Sequence, residues 1–158
     1  MRPVGNRVVE TRIPDLWRRR VEFLLFPTTG RHRSRHDQAV ILDVLVVDDD
    51  PWFRAVARQL LEGAGFTVVG EADSATQALA CVAALQPSAV LLDVNLPDGD
   101  GLSLARELGT LPWRPRIVLT SSDPDAVTDG LAKRSSAVAF VPKEELTDAR
   151  LRAAFAVG

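Results

Sequence analysis

From residue 41 onward, short apolar runs alternate with amphipathic segments, and this alternation limits the fold more than any other feature of the chain. The runs are rich in Val, Leu and Ile, as is typical of strands buried on both faces. The predicted strands are Leu42–Val47, Phe66–Glu71, Ala89–Asp93, Arg116–Thr120 and Ala137–Val141. After each of them, apolar residues recur at helical spacing. Strands that alternate with helices predict an α/β fold with a parallel sheet.

The helical segments begin with signals of their own. Asp50 followed by Pro51 is typical of an N-cap with proline at the first helical position, and Ser74 with Gln77 forms a capping box. The later helices are predicted over residues 102–108, 123–134 and 144–156. Five strands with five helices predict a flavodoxin-like, doubly wound, five-stranded parallel sheet of strand order 2-1-3-4-5.

Polar side chains end or follow four of the predicted strands, at the carboxyl edge where sheets of this kind bind ligands. They are Asp48, Asp49, Asp93, Thr120 and Lys143. Clustered carboxylates repel one another unless a cation lies between them, and an all-oxygen ligand set suits Mg²⁺. A lysine and a hydroxyl beside such a metal would bind the oxygens of a phosphoryl group. No sulfur or imidazole lies nearby in the pattern, which argues against zinc.

Four segments of the chain resemble the receiver domains of two-component response regulators. They are LVVDDDPWFR (45–54), LLDVNLPDGDGL (91–102), IVLTSSD (117–123) and AFVPKEEL (139–146), in this order, each at the carboxyl end of a predicted strand. The resemblance covers roughly residues 42–156. It implies a phosphoacceptor signalling domain, with no enzymatic activity beyond its own phosphotransfer and dephosphorylation. Glu144 follows the lysine where the family usually has proline, as in receivers that usually carry helix-turn-helix outputs.

The resemblance implies a phosphoacceptor site that depends on Mg²⁺. Asp93 matches the phosphoacceptor aspartate. Asp49 matches the residue that binds the metal directly, and Asp48 matches its neighbour, which often acts through water. Asn95, two residues after the acceptor, would offer its backbone carbonyl. The metal ligands expected from the resemblance are therefore Asp48, Asp49, Asp93 and Asn95.

Three further residues match the phosphoryl-binding and switch positions of the family. Thr120 matches the hydroxyl that bonds the phosphoryl group, and Lys143 matches the lysine that pairs with it. Phe140 matches the aromatic residue that moves inward on activation, into space that Thr120 vacates. The added phosphoryl charge would thus drive a two-state switch.

The resemblance also implies partners. The phosphoryl donor would be a sensor histidine kinase or a phosphotransfer protein. The output would be a protein contact through the face formed by helix 4, strand 5 and helix 5, and a homodimer is one form of such a contact. Only Val157 and Gly158 follow the last predicted helix, so no DNA-binding or other output domain is expected in this chain. The chain would then be either a stand-alone receiver or a piece of a longer regulator.

Charge divides the chain near residue 40. Residues 1–40 hold nine arginines and four acidic side chains, a net charge of +5, whereas residues 41–158 hold ten basic and seventeen acidic side chains, a net charge of −7. We expect a basic, flexible N-terminal extension over residues 1–40 and a receiver domain over residues 41–158. Asp15–Phe26 would either form a short amphipathic helix for a membrane surface or an acidic partner, or stay unstructured.

The remaining composition favours a cytoplasmic protein. A single cysteine, Cys81, excludes an internal disulfide framework and suits a reducing compartment. No apolar run is long enough to span a membrane. The apolar stretch Val21–Phe26 has neither the length nor the cleavage site of a signal peptide.

Three other functions fit parts of the pattern. A pseudo-receiver would be an interaction module that is never phosphorylated, and the complete set of acceptor, metal and phosphoryl-binding residues argues against it. An aspartate-nucleophile phosphatase of the haloacid-dehalogenase type needs D-x-D-x-T, whereas residues 93–97 read DVNLP. A flavin-binding module would need a phosphate-binding loop after strand 1, where three aspartates stand instead, and the fold alone does not imply that function.

Overall fold

The computed structural model describes residues 41–156. The predictions for residues 1–40, which are the basic extension and the helix over Asp15–Phe26, lie outside the described residues, as do Val157 and Gly158. None of the helices in the described range combines the length and the hydropathy that a membrane span requires.

Seven strands occur between residues 41 and 156, and five of them form one parallel sheet. They are β1 (Asp43–Val47), β2 (Thr67–Ala72), β3 (Ala89–Asp93), β4 (Asn95–Leu96), β5 (Gly99–Asp100), β6 (Arg116–Ser121) and β7 (Ala139–Pro142). The sheet order is β2-β1-β3-β6-β7, and β4 pairs with β5 in the loop after β3. Counted over the five sheet strands, this confirms the predicted order 2-1-3-4-5.

Five α-helices occur between residues 41 and 156, and four of them cover the two faces of the sheet. The five helices are α1 (Pro51–Gly63), α2 (Ala75–Leu85), α3 (Gly101–Gly109), α4 (Asp129–Arg134) and α5 (Asp148–Ala156). The apolar sides of α1 and α5 pack on one face, and those of α2 and α3 pack on the other. β3 is buried along its whole length between these layers. Burial of each large apolar side chain contributes about 1.5–3 kcal/mol, so the two layers hold the strand ends in a fixed arrangement.

The predicted starts of α1 and α2 are confirmed. The N–H of Trp52 donates to Asp50 Oδ1 (2.9 Å), and the N–H of Gln77 donates to Ser74 Oγ (3.2 Å). Gln77 Oε1 in turn accepts from the N–H of Asp73 (2.6 Å). These local bonds begin each helix within a few residues of the preceding strand, which keeps the loops at the carboxyl edge short.

The helix predicted over residues 123–134 is only half as long. α4 begins at Asp129, after a cap by the hydroxyl of Thr128. Asp123 does not begin a helix, although its Oδ1 accepts from the N–H of Asp125 (2.9 Å) as Asp50 Oδ1 does from Trp52. The chain closes only one turn there, in which the N–H of Ala126 donates to the carbonyl of Asp123 (3.2 Å). The same Asp-Pro signal that starts a helix after β1 therefore makes only a turn after β6.

The helix predicted over residues 144–156 begins four residues late, at Asp148. Lys143–Glu145 form one turn of 3₁₀-helix, and Leu146 then has extended backbone with φ −69° and ψ 119°. Leu146 packs into the apolar layer beneath α1 and α5. Its burial pulls the chain out of the helical conformation, and the hydroxyl of Thr147 caps the new helix.

Candidate functional site

The carboxyl edge of the sheet brings four of the predicted residues together. Asp48 follows β1 directly, and its N–H donates to the carbonyl of Ala72 at the end of β2 (3.0 Å). Asp93 ends β3 and lies opposite Thr120 of β6. Lys143 begins the 3₁₀ turn after β7. Parallel strands end at one edge, so carboxylates, a hydroxyl and an ammonium converge there.

Asp48 and Asp93 form an acidic cluster together with Asp49, which follows Asp48 in the same loop. Asp48 and Asp93 are 0% and 4% exposed, whereas Asp49 lies on the surface. One carboxylate oxygen of each residue lies within 4.8 Å of those of the other two. Buried carboxylates at such distances repel one another and favour the binding of positive charge. The oxygen-only donor set fits a hard divalent cation such as Mg²⁺, which Asp48, Asp49 and Asp93 could hold.

Lys143 supplies positive charge to the two buried carboxylates. Its Nζ lies 2.5 Å from Asp48 Oδ2 and 3.4 Å from Asp93 Oδ2. The ammonium also lies 4.2 Å from the ring centroid of Phe53 on α1, a cation–π contact that shields it from water. The ammonium therefore lies directly beside both buried carboxylates.

The surroundings change the pKa values of both groups. Burial and the negative charge of Asp48 raise the pKa of Asp93 to about 6, although the N–H of Asn95 and the Lys143 ammonium oppose the change. Burial acts to lower the pKa of Lys143, but the hydrogen bond and charge of Asp48, together with Asp93, outweigh it, so this pKa is raised. At neutral pH the site therefore holds a carboxylate of unusual basicity beside a charged ammonium.

The other predicted residues lie around Asp93. Thr120 is fully buried, and its Oγ1 has no hydrogen-bond partner among residues 41–156. The N–H of Asn95 donates to Asp93 Oδ1 (3.1 Å), and the role of its carbonyl as a metal ligand stays a prediction. Phe140 is half-buried on β7, opposite Leu119, and its switch role also stays a prediction.

Replacement of Thr120 by valine is expected to leave the stability of the unphosphorylated protein unchanged or to raise it by up to about 2 kcal/mol. The reason is that the change removes a buried hydroxyl without a partner. Ser121→Ala is the matched control, because Ser121 Oγ accepts from the N–H of Asp123 (3.1 Å) and its loss should cost about 0.5–1.5 kcal/mol. Urea unfolding compares the two. A destabilised Thr120→Val protein would show that the hydroxyl already has a structural role.

Sequence reasoning missed two residues that hold the loops of the site. Arg54 Nη1 donates to the backbone carbonyl of Asp48 (2.7 Å). Asp98 accepts from the N–H groups of Ala75 (2.7 Å) and Thr76 (3.0 Å), so it ties the loop after β3 to the start of α2. Hydrogen bonds from the side chain and backbone of Thr76 and from the N–H of Ala75 lower the pKa of Asp98. No local sequence pattern predicts that Asp98 accepts these hydrogen bonds from the start of α2, because Ala75 and Thr76 lie more than twenty residues away in the chain.

Comparison with known proteins gives matches over this whole region. The family model described as the response regulator receiver domain matches residues 44–156. Protein-glutamate methylesterase/protein-glutamine glutaminase 3 of Hahella chejuensis is 35% identical over 106 residues, which are 66% of this chain and 30% of that protein. The virulence-factor transcription regulator BvgA of Bordetella pertussis is 33% identical over 114 residues, which are 72% of this chain and 54% of BvgA.

A solved structure shares the fold. The signal receiver domain of the response regulator NarL from Mycobacterium tuberculosis is 33% identical and superposes with a TM-score of 0.60, over 72% of this chain and 96% of that domain. The chain spans about half or less of the length of the two sequence relatives. The similarity therefore concerns only part of each of these two relatives.

Proposed function

Because this chain belongs to the response regulator receiver domain family, we propose that Asp93 accepts a phosphoryl group in a Mg²⁺-dependent reaction. The donor is a sensor histidine kinase or a phosphotransfer protein of a two-component system. The observation that carries the proposal is the position of the Asp93 carboxylate. It lies 3.4 Å from Lys143 Nζ and within 4.8 Å of carboxylate oxygens of Asp48 and Asp49.

In this reaction a carboxylate oxygen of Asp93 attacks the phosphorus of a phosphohistidine. The O–P bond forms while the N–P bond breaks, and the imidazole of the donor leaves. In the metal-free site a pKa of about 6 leaves Asp93 mostly ionised at neutral pH, and Mg²⁺ held beside it would favour the ionised, nucleophilic form further. The carboxylates of Asp48, Asp49 and Asp93 and the carbonyl of Asn95 would hold Mg²⁺. The bound ion supplies positive charge to the phosphoryl oxygens.

Lys143 and Thr120 stabilise the phosphoryl group once it is attached. The Lys143 ammonium, which now pairs with Asp48 and Asp93, turns toward a phosphoryl oxygen, and its raised pKa keeps it charged. The Thr120 hydroxyl donates a hydrogen bond to a second oxygen, which gives this buried group the partner that it lacks. Charge-assisted hydrogen bonds of this kind are roughly twice as strong as neutral ones.

The phosphoryl signal passes from Thr120 to the neighbouring strand. Thr120 pairs with Val141 of β7, and Leu119 pairs with Phe140. A movement of Thr120 toward the phosphoryl group opens space for the Phe140 ring. α4 has only six residues, and so short a helix depends on packing for its stability. The face formed by α4, β7 and α5 therefore changes shape. In its new shape it binds a downstream protein, and a second copy of this chain is one such partner.

Incubation with acetyl phosphate tests the proposed function. Intact mass spectrometry should show the gain of one phosphoryl group with Mg²⁺ present and no gain with excess EDTA. A folded protein that neither gains this mass nor binds Mg²⁺ would contradict the proposal and favour an interaction module that is never phosphorylated. Steady release of phosphate from small phosphomonoesters would favour an aspartate-nucleophile phosphatase instead.

Trp52 indicates where the donor protein contacts this site. It lies at the start of α1, is 73% exposed, and is one of two large apolar side chains on the surface of residues 41–156. It borders a pocket of about 400 Å³ together with Phe53, Val56 and Lys143. Exposed tryptophans beside polar groups are common anchors of protein interfaces. We therefore place the donor against this side of the site.

Trp52→Ala is expected to slow phosphotransfer from a phosphorylated histidine kinase by about 10–30-fold, through a higher KM, because an interface anchor typically contributes about 2 kcal/mol. Phosphorylation by acetyl phosphate should keep its wild-type rate, since this donor is too small to need the contact. Time courses with both donors measure the two rates. Equal slowing with both donors would mean that the variant has distorted the site.

A further inference from the structure

Arg54 links α1 to the acidic loop and to β2. Its Nη1 donates to the backbone carbonyl of Asp48 (2.7 Å), and its Nε donates to Glu71 Oε1 (3.3 Å). The side chain is only 18% exposed. Arg58, one turn further along α1, pairs with the other oxygen of Glu71 (Nη2–Oε2, 2.8 Å). The two arginines thus share one acidic partner, but only Arg54 reaches the acidic cluster.

The carbonyl that Arg54 holds belongs to the peptide between two of the metal-binding candidates. β1 ends at Val47, so the Asp48 carbonyl lies beyond the ladder of sheet hydrogen bonds. The Asp48 side chain has an anchor of its own, because Oδ1 accepts from the N–H of Asp50 (2.8 Å). Asp49 is exposed, and its carboxylate gains little orientation from packing. The direction of the Asp49 side chain therefore depends on the peptide plane that the guanidinium holds.

We propose that Arg54 is a positioning residue that orients the Asp48–Asp49 peptide and thereby strengthens Mg²⁺ binding. This inference rests on the proposed function, because it assumes that the acidic cluster binds Mg²⁺. Removal of a group that orients a metal ligand without touching the metal typically weakens metal binding by about 10–100-fold. A guanidinium suits this role because its planar set of donors can hold a carbonyl and a carboxylate at once.

The charge of Arg54 would by itself have the opposite effect. A positive side chain near a cation site repels the cation, so its removal should strengthen Mg²⁺ binding. Orientation of the ligands predicts weaker binding after removal. The sign of the change therefore separates a positioning role from a simple charge effect.

The test compares the Mg²⁺ affinity of the full chain with that of three variants, Arg54→Gln, Arg54→Lys and Arg58→Gln. The amide signal of Asp50 in a ¹⁵N–¹H correlation spectrum, followed during titration with MgCl₂, reports binding at the site without any phosphorylation. We expect about tenfold weaker binding for Arg54→Gln and a smaller loss for Arg54→Lys, which keeps the charge but not the planar donors. Arg58→Gln should bind as the wild type does, or slightly more tightly.

Urea unfolding of the same proteins shows whether a change in Mg²⁺ affinity merely reflects a loss of stability. Arg54→Gln loses its contacts to Glu71 and the Asp48 carbonyl, and Arg58→Gln loses its contacts to Glu71 and Glu62, so both midpoints should fall. Mg²⁺ affinities are compared under conditions in which every variant is fully folded. Arg54→Gln with wild-type or tighter Mg²⁺ binding overturns the positioning role alone. Equal weakening in Arg54→Gln and Arg58→Gln also overturns it, because only the first contacts Asp48. A wild-type chain that does not bind Mg²⁺ at all overturns the proposed function and this inference with it.

Discussion

Asp93→Asn is expected to gain no phosphoryl group from acetyl phosphate and Mg²⁺ under conditions in which the wild-type chain gains one. An amide has neither the charge nor the basicity of the nucleophile, so no O–P bond forms. The neighbouring acids do not replace it. Asp48 is held in an ion pair with Lys143, and Asp49 lies on the surface, whereas the acceptor position opposite Thr120 is buried.

The same variant is expected to be more stable than the wild type in Mg²⁺-free buffer at pH 7.5, by about 2–3 kcal/mol. The folded-state pKa of Asp93, about 6, lies above the value of about 3.9 for an unfolded aspartate, so the ionised carboxylate costs stability at neutral pH. The wild type regains this stability as the pH falls through the folded-state pKa. The advantage of the variant should therefore shrink to about half at pH 5.

Urea unfolding at pH 7.5 and pH 5, with intact mass spectrometry on the same samples, measures both parts of this prediction. Asp49→Asn is the control for stability, because Asp49 is exposed and its replacement should change the free energy of unfolding little. A phosphorylated Asp93→Asn protein would refute the assignment of the acceptor. A less stable variant would mean that the buried carboxylate contributes net stability through Lys143.

Gly101→Ala is expected to lower the free energy of unfolding by about 3 kcal/mol or more. A Cβ at this position would overlap the carbonyl oxygen of Asp93 and lie 2.8 Å from the Cα of Val94. Backbone atoms cannot rotate away as a side chain can, so the loop itself must shift. The N–H of Gly101 also donates to the carbonyl of Val94 (2.8 Å), which closes the loop directly after the acceptor. We therefore expect the remaining folded protein to be phosphorylated more slowly.

Gly99→Ala is the matched control in the same loop. A Cβ at Gly99 would lie 3.5 Å from the Cβ of Ala75, an ordinary van der Waals contact. This variant should change stability by no more than about 1 kcal/mol, and in the stabilising direction if the backbone accepts alanine. Urea unfolding distinguishes the two variants. Equal effects at Gly99 and Gly101 would show that the loop after β3 has room to relax.

The sheet strands and the first two helix starts could be predicted because their causes are local. A central strand such as β3 needs consecutive apolar residues, and a short window of sequence contains them all. The caps formed by Asp50 and Ser74 reach N–H groups two and three residues away. Both partners of each interaction are therefore visible in the same few residues.

The starts of α4 and α5 were predicted wrongly because the residues there are compatible with more than one backbone conformation. Asp123 followed by Pro124 is compatible with a helix and with a single turn, and the chain makes the turn. Glu144 and Glu145 suit a helix start, but burial of Leu146 against distant residues interrupts the helix. In both places the packing of the finished fold decides between conformations that the local sequence allows.

By itself, the sequence determined which chemical groups stand at the carboxyl edge, because the repeat of strand and helix places Asp48, Asp93, Thr120 and Lys143 at strand ends. Only the tertiary structure decided their distances and their charge states. The 2.5 Å contact of Lys143 with Asp48 and the burial that raises the pKa of Asp93 join segments far apart in the chain. Desolvation and ion pairing depend on what surrounds a group in space, and the complete packing of sheet and helices sets those surroundings.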